Sequence, residues 1–250
     1  MTFDDAHPDV ATIERIISLI DLTDLDDDHR PDGIDGLLAD AARHRTAAVC
    51  VWPEFVSRAS RELSGSGVRV ATVANFPTGA GSAVEVAEQV GDSLAAGADD
   101  IDVVLPWRSF LDGDVEHAVA VLDATAAVVR ESPGALLKVI LETGDHPTSS
   151  SIADASRLAI ASGADFLKTS TGKSGTGATP EAVATMLDVI AEDGGRVGIK
   201  PSGGVRTVSD ATALLDLAGE RLGEAWATPQ RFRFGASGLL ADALSRLGRG

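Results

Sequence analysis

Short β-branched runs alternate with Ala-rich amphipathic stretches along the whole chain. The apolar runs are typical of strands buried on both faces, and the longer stretches have the periodicity of helices. The pattern predicts eight strands, at 19–22, 46–52, 68–75, 100–105, 136–142, 165–169, 196–200 and 231–235. It predicts a helix after each strand, near 34–44, 54–64, 82–96, 115–131, 149–162, 180–193, 207–219 and 238–247, and an additional N-terminal helix at 10–18.

Repeated strand–helix units indicate an α/β fold with a parallel sheet. Eight units in 250 residues, with no Pro-, Gly- or Ser-rich linker between them, favour a (β/α)8 TIM barrel over an open doubly wound sheet. An open sheet usually has fewer strands and a dinucleotide fingerprint, but no GxGxxG follows the first predicted strand. The sequence therefore predicts a single (β/α)8 barrel domain over residues 1–250.

Composition and charge exclude several classes of protein. The chain is 44% hydrophobic and 24% charged, which is ordinary for a globular protein, and its apolar runs are shorter than the roughly 20 residues of a membrane span. A net charge of −17 argues against nucleic acid as a partner, because phosphate polyanions are repelled. The acidic start predicts a cytoplasmic protein. One Cys and no paired ligand spacing imply neither a disulfide nor a structural metal.

Lysine is rare in this sequence, with four lysines against seventeen arginines. Lys138, Lys168 and Lys200 lie in three consecutive predicted strands, and Lys173 follows one of them. A lysine in a strand buried on both sides must point into a polar site or lose several kcal/mol of solvation. A paired or snorkelling core lysine is the alternative for any one of the three. Since arginine does not give up its proton, the retained lysines are candidates for chemistry that needs a neutral amine.

Converging ammonium groups suit a reaction in which one amine attacks a carbonyl. An ordinary lysine pKa of about 10.4 must fall by roughly three units for a useful fraction to be neutral at pH 7. A second ammonium about 5 Å away supplies about 3 kcal/mol of that change. The resulting Schiff base is an electron sink that lets a neighbouring C–C bond break without a metal. Asp102, in predicted strand 100–105, fits either a proton-transfer carboxylate or a plain charge partner for a lysine.

Glycine-rich segments follow the last three predicted strands and precede helices. They are Gly172-Lys173, Gly203-Gly204 and the segment 235–238. Free backbone N–H groups and the positive end of a helix dipole favour an anion at such places, and barrels often bind phosphate after strands seven and eight. Each segment alone is also compatible with simple turn geometry. Their shared position at one end of the barrel favours a phosphate site.

Seven segments between residues 20 and 240 resemble the deoxyribose-phosphate aldolase family, class I aldolases with a (β/α)8 fold. In chain order they are IDLTDLDDD, AVCVWP, ADDIDVVLPW, LLKVILETG, ADFLKTSTGK, GIKPSGGVRT and RFGASGLL. The pair KTSTGK and KPSGGVRT is the most specific. The resemblance implies that Lys168 forms the Schiff base, Lys200 is the cation that keeps that amine neutral, and Asp102 belongs to the proton relay. Spacing alone does not choose between Lys168 and Lys200 as the nucleophile.

The implied reaction is the reversible cleavage of 2-deoxy-D-ribose 5-phosphate into acetaldehyde and D-glyceraldehyde 3-phosphate, in deoxyribonucleoside breakdown. It requires no cofactor, and the family is compatible with a homodimer. The resemblance places Asp21, Thr23, Cys50, Lys138 and Thr171 around the substrate, and Gly172, Lys173, Gly203, Gly204, Ser237 and Gly238 around its phosphate. A small core residue is the other interpretation of Cys50.

Two departures from the family and two competing functions accompany this interpretation. Gly238 stands where the family often has a second Ser, and the chain contains no Tyr, so the tail-assisted proton transfer of some relatives is not expected.

One alternative is another lysine-dependent aldolase or a transaldolase, which would act on a ketose donor. The other is a non-catalytic barrel that binds a phosphosugar.

Overall fold

A parallel sheet of eight strands forms the centre of the computed structural model, which describes residues 8–28 and 31–249. The strands are β1 Ile20–Asp24, β2 Ala48–Val51, β3 Arg69–Ala74, β4 Asp100–Val104, β5 Leu136–Ile140, β6 Phe166–Lys168, β7 Gly198–Lys200 and β8 Phe234–Ala236. Strands adjacent in sequence pair from β1 to β7, and β8 pairs with β1. Backbone bridges from Ile199 to Phe232 and from Ser202 to Gly235 close the barrel. The predicted (β/α)8 architecture is confirmed.

Helices surround this barrel in the described residues. They are α1 Val10–Ser18, α2 Pro31–His44, α3 Val56–Glu62, α4 Ala83–Ala95, α5 Trp107–Leu111, α6 Val115–Arg130, α7 Ser149–Ala161, α8 Pro180–Glu192, α9 Val208–Leu222 and α10 Leu239–Arg246. Each predicted helix is present, including the additional α1. The short α5 was not predicted, because five residues are too few to show a helical period. No helix in these ranges has the length and hydropathy of a membrane span.

Local signals explain where the helices begin and end. Ser82 caps α4: its hydroxyl accepts from the N–H of Glu85, and the Glu85 carboxylate accepts from the N–H of Ser82. This reciprocal capping box satisfies two N–H groups that the helix itself leaves free. Gly97, at φ 103°, ends the same helix and turns the chain into β4. Because L side chains rarely adopt that φ, this glycine is structural, as the sequence predicts.

The pleat of the strands separates two sets of side chains. In β4, Ile101 and Val103 belong to the apolar core between the sheet and its helices, whereas Asp100 and Asp102 point into the barrel. Register pairs Asp102 with Lys138 and Lys168 with Lys200, so charged side chains of neighbouring strands lie at matching heights. The active site of such a barrel lies at the carboxyl ends of its strands, and Lys168 and Lys200 are the last residues of β6 and β7.

Candidate active site

Seven buried charged side chains fill the interior of the barrel. They form the interior ionic cluster, which consists of Asp21, Asp100, Asp102, Lys138, Lys168, Lys200 and Arg233. Each of these side chains is at most 3% exposed. Branched apolar residues usually fill a barrel interior, and isolated buried charges are very costly. A cluster of this kind is stable only if its members pair closely.

Asp102 is the centre of the cluster. Its Oδ2 accepts from Lys168 Nζ at 2.8 Å and from Lys200 Nζ at 2.7 Å, and its Oδ1 accepts from Lys138 Nζ at 3.0 Å. The two ammonium nitrogens that share Oδ2 are therefore at most about 5.5 Å apart, the sum of the two distances. Burial alone raises the pKa of Asp102, but the three lysines outweigh it and hold this pKa well below its ordinary value.

Lys200 and Lys138 are each held by more than one carboxylate. Lys200 Nζ also lies 2.7 Å from Asp21 Oδ2, and Lys138 Nζ lies 2.7 Å from Asp100 Oδ2. Burial alone lowers the pKa of each lysine, but Asp102 and Asp21 raise that of Lys200, and Asp100 and Asp102 raise that of Lys138. The net pKa shift is upward for both, so both side chains stay protonated at neutral pH.

Lys168 differs from its two neighbours in having one ion pair, to Asp102, and in lining a cavity. Loss of a proton from Lys168 therefore breaks one ion pair, whereas loss from Lys200 breaks two. The cluster holds four cations and three carboxylates, so release of this one proton also balances its charge. The geometry thus distinguishes Lys168 from Lys200, a choice that sequence spacing leaves open.

A cavity of about 330 Å³ opens above Lys168 at the carboxyl ends of β1, β6, β7 and β8. Its lining includes Thr23, Thr171, Gly172, Lys173, Ser202, Gly203, Gly204 and Ser237. Among the described residues, no acceptor receives the backbone N–H of Gly172, Gly203, Gly204 or Ser237. Gly203 and Gly204 have φ of 81° and 92°, a conformation that turns successive N–H groups toward one side. Four free donors around one cavity are suited to an anion.

Comparison with known proteins identifies the family of the chain. The family model described as "DeoC/LacD family aldolase" matches residues 15–242. The chain belongs to the DeoC/LacD family of aldolases. A deoxyribose-phosphate aldolase from Agrobacterium fabrum (strain C58) is 45% identical over 94% of this chain and 91% of the relative.

Solved structures agree with the fold of this DeoC/LacD aldolase. A candidate deoxyribose-phosphate aldolase from Coccidioides immitis superposes with a TM-score of 0.82 at 30% identity, covering 94% of this chain and 87% of that one. A tetrameric deoxyribose phosphate aldolase from Aeropyrum pernix has a TM-score of 0.77 at 23% identity, over 94% and 92% of the two chains, and supports the fold alone.

Three predicted substrate-binding residues of this DeoC/LacD aldolase lie beneath the cavity and do not line it. Lys138 is fully buried, and its ammonium is occupied by Asp100 and Asp102. The Asp21 carboxylate is occupied by Lys200 and Arg233. Barrel closure pairs Lys138 and Asp21 with opposite charges below the cavity, and their contact with the substrate stays a prediction.

Cys50 is the third of these residues. Its Sγ lies 3.9 Å from Asp102 Oδ2, and burial raises the pKa of the thiol. The neutral side chain packs with Ala71, Val73 and Leu25. These contacts agree with the alternative interpretation of Cys50 as a small core residue.

The predicted phosphate residues are not equivalent in the structure. The backbone N–H of Lys173 donates to Thr171 Oγ1 at 3.0 Å, and its ammonium pairs with Asp27 at 3.1 Å. Lys173 therefore offers an anion its side chain, after exchange with Asp27, and not its N–H group. Gly238 is the N-cap of α10 and lies outside the cavity lining. Gly172, Gly203, Gly204 and Ser237 line the cavity, and their contact with a phosphate stays a prediction.

Sequence reasoning missed two buried charges, Asp100 and Arg233. Asp100 has the same strand parity as Asp102, and Arg233 alternates with Phe232 and Phe234, both fully buried. Parity was the signal for Asp100. Arg233 carries the same signal as the three lysines, a charge within an apolar strand pattern. It does not stand out by rarity, because it is one of seventeen arginines.

Glu142, just after β5, was missed as well. It is 2% exposed and adopts a left-handed φ of 58°, which is uncommon for a residue other than glycine. Its carboxylate accepts from the N–H of Thr171 at 3.3 Å and from the Ser174 hydroxyl at 2.9 Å. Glu142 thereby holds both sides of the Gly172-Lys173 turn. Nothing in the linear pattern reveals this contact, because it depends on how the loops after β5 and β6 meet.

Proposed function

We propose that this chain is a metal-independent deoxyribose-phosphate aldolase. It would reversibly cleave 2-deoxy-D-ribose 5-phosphate into acetaldehyde and D-glyceraldehyde 3-phosphate in deoxyribonucleoside breakdown. The observation that carries the proposal is Lys168 Nζ at the floor of a cavity with free amides, 2.8 Å from a carboxylate that also holds Lys200. The 45% identical relative from Agrobacterium fabrum is named deoxyribose-phosphate aldolase, which supports the proposal.

Lys168 acts first, as the nucleophile. Its neutral Nζ attacks the aldehyde carbon of the open-chain sugar, the carbinolamine oxygen takes up a proton, and water leaves to give an iminium ion. This positive charge develops at the atom that Asp102 Oδ2 contacts at 2.8 Å. A carboxylate already in place stabilises it without reorganisation. Asp102 is therefore better suited to the iminium state than to the neutral amine, as a catalyst requires.

Bond cleavage follows from the iminium ion. Removal of the C3 hydroxyl proton breaks the C2–C3 bond, its electron pair moves to the iminium nitrogen, and D-glyceraldehyde 3-phosphate leaves. A proton then adds to C2 of the enamine, and hydrolysis releases acetaldehyde and the lysine. We assign Asp102 and Lys200 to the water-mediated proton relay on their position, because Asp102 Oδ2 contacts both Lys168 Nζ at 2.8 Å and Lys200 Nζ at 2.7 Å.

The phosphate would lie at the free N–H groups of Gly172, Gly203, Gly204 and Ser237. These donors carry no net charge, so they attract an anion locally in a chain whose net charge is −17. Thr23 and Thr171 also line the cavity, which supports a role for their hydroxyls in binding those of the substrate. The pocket thus has an imine-forming floor and an anion-binding rim.

Borohydride trapping tests the proposal most directly. We expect reduction in the presence of 2-deoxy-D-ribose 5-phosphate to add the substrate mass to Lys168, as located by peptide mapping. Acetaldehyde among the products of unreduced reactions supports the assignment. Dihydroxyacetone units would identify the ketose-donor alternative, and the absence of any covalent adduct would identify a binding protein. Metal chelators are expected to leave turnover unchanged.

Ser202 allows an independent test of the pocket. Ser202 lines the cavity, and its buried hydroxyl has no hydrogen-bond partner in the described residues. We expect Ser202→Ala to raise KM for 2-deoxy-D-ribose 5-phosphate by about fivefold to tenfold, the value of one neutral hydrogen bond of about 1 kcal/mol. The free energy of unfolding should stay equal or rise, because an unpaired buried hydroxyl is removed.

Ser156→Ala is the matched control for this variant, since the buried Ser156 hydroxyl donates to Ile152 O in α7, away from the cavity. It should lower the free energy of unfolding and leave KM unchanged. An unaltered KM in Ser202→Ala would show that its hydroxyl does not face the substrate.

Three further expectations accompany the proposed function. We propose a homodimer, for which sedimentation at several protein concentrations is the test. The cytoplasmic location and the single-domain organisation over residues 1–250 stay predictions. Cell fractionation and the cooperativity of unfolding, respectively, would check them.

A further inference from the structure

Arg233 is buried deep in the barrel without reaching the cavity. It directly precedes β8, and its side chain is 3% exposed. Its Nη1 lies 2.7 Å from Asp21 Oδ1 and 3.9 Å from Asp100 Oδ2, and its Nε donates to Pro229 O. Because it is not among the cavity residues, Arg233 has no path to the substrate. Contact with the substrate therefore does not explain why this arginine is buried.

The titratable and charged groups around Lys168 come from the seven other strands of the barrel or the residue that precedes them. Asp102 on β4 contacts it directly, and Lys200 on β7 shares the same oxygen. The remaining groups facing the interior are Asp21 on β1, neutral Cys50 on β2, Arg69 on β3, Asp100 on β4, Lys138 on β5 and Arg233 before β8. Asp26, Lys173 and Arg206 line the open side of the cavity, and Glu142 faces the turn beside it.

Arg69 belongs to the base of the barrel and not to the buried set. Its side chain is 30% exposed, so solvent screens its charge, and it donates to Asp100 and to the carbonyl oxygens of Asp99 and Gly134. Among the described residues, the charged groups sealed inside the barrel are the seven of the interior ionic cluster, and the buried Glu142 lies outside it, between the loops after β5 and β6. Their charges are the ones that solvent screens least.

Arg233 decides the net charge of the interior ionic cluster. With it, four cations face three carboxylates. Without it, three lysines would balance three carboxylates while all remained protonated. An arginine does not release its proton, so the excess charge is relieved only through a lysine. Lys138 and Lys200 each hold at least two carboxylates, whereas Lys168 holds one.

We propose that Arg233 is a positioning residue that supplies the excess buried positive charge favouring the neutral form of Lys168. The proposal rests on the proposed function in that a neutral Lys168 is useful for Schiff-base chemistry. Arg233 acts through Asp21 and Lys200. Because Arg233 occupies Asp21 Oδ1, Asp21 Oδ2 is left to Lys200, and Lys200 shares Asp102 Oδ2 with Lys168.

The experiment measures the pH at which Lys168 becomes reactive. Acetic anhydride acylates neutral amines, and peptide mass mapping reports the extent of acylation at Lys168 across pH. Coulomb's law gives a shift of about one pH unit for one charge roughly 10 Å away at an effective dielectric of about 20. In Arg233→Gln both the acylation midpoint and the acid limb of kcat/KM should therefore rise by about one pH unit.

Three other variants complete the set. Arg233→Lys places an ammonium beside Asp21 and Asp100, two carboxylates that favour its protonated form, and should restore the midpoint of the unaltered protein. Asp100→Asn removes a negative charge from the same cluster and should lower the midpoint. Arg196→Gln removes an exposed arginine, whose side chain is 77% exposed, and should leave it unchanged.

The outcomes separate a charge effect from a structural one. An unmoved midpoint in Arg233→Gln, or a midpoint that Arg233→Lys does not restore, would overturn the proposal. If Arg233→Gln does not fold, as judged by circular dichroism, the absence of a downward shift in Asp100→Asn overturns it equally. Acylation does not depend on turnover. Failure of the unaltered protein to trap 2-deoxy-D-ribose 5-phosphate would therefore count against the proposed function alone.

Discussion

Lys168→Ala is expected to lower kcat for cleavage of 2-deoxy-D-ribose 5-phosphate by about four orders of magnitude or more and to abolish borohydride trapping. The variant lacks the amine of the interior ionic cluster that borders the cavity and holds a single carboxylate. Loss of a covalent nucleophile generally removes most of an enzyme's rate enhancement. Turnover is followed by acetaldehyde release, and trapping by the mass of the intact protein.

The barrel should remain folded in this variant, because three cations then balance three carboxylates in the cluster. Lys168→Met, which keeps more of the side-chain volume, provides a second test should the smaller residue leave a destabilising cavity. The matched control is Lys173→Ala, at the remaining lysine of the cavity. It should retain trapping at Lys168 and raise KM. Retained turnover in Lys168→Ala would refute the assignment of the nucleophile.

Asp102→Asn should have the largest effect on stability. It removes the carboxylate that accepts from three buried ammonium groups and leaves a neutral amide among them. Breaking a buried ion pair by removing one partner costs about 3 to 5 kcal/mol. We therefore expect the free energy of unfolding at pH 7 to fall by about that amount, and kcat to fall because the iminium ion loses its counter-charge.

The dependence of this effect on pH follows from the depressed pKa of Asp102. A carboxylate whose pKa is lower in the folded than in the unfolded state adds stability above the unfolded pKa of about 4, and that stability is lost as the pH falls further. The difference between Asp102→Asn and the unaltered protein should therefore be full at pH 7 and shrink below about pH 4. Urea unfolding at a series of pH values measures it.

Asp188→Asn is the control for Asp102→Asn. Asp188 is 62% exposed and pairs with Arg221 on the surface, where an ion pair contributes about 1 kcal/mol or less. A similar loss of stability in both variants would mean that burial of the cluster does not matter. A loss at Asp102 that persists unchanged in acid would contradict its ionised state.

Element order and the chemistry-bearing residues were predictable from the chain. β4 and β5 were found because their alternation and β-branched content are local properties, and α5 was missed because it is shorter than one clear period. Lys138, Lys168 and Lys200 stood out because a charge inside an apolar strand needs an explanation wherever that strand lies. Free N–H groups at the glycine turns were expected from the residue types alone.

The amino-acid order therefore dictated the succession of strands and helices and the heights at which charges enter the barrel, since backbone pleat and burial are local. Closure of the barrel decided which charges meet. It brings Arg233 to Asp21 across 212 positions of the chain, and Lys200 to Asp102 across 98. Those contacts, set by register around a closed sheet, place Asp21 and Lys138 below the cavity and leave Lys168 as the amine of the interior ionic cluster with a single partner. Coulomb energies depend on distances in space, and no linear pattern contains them.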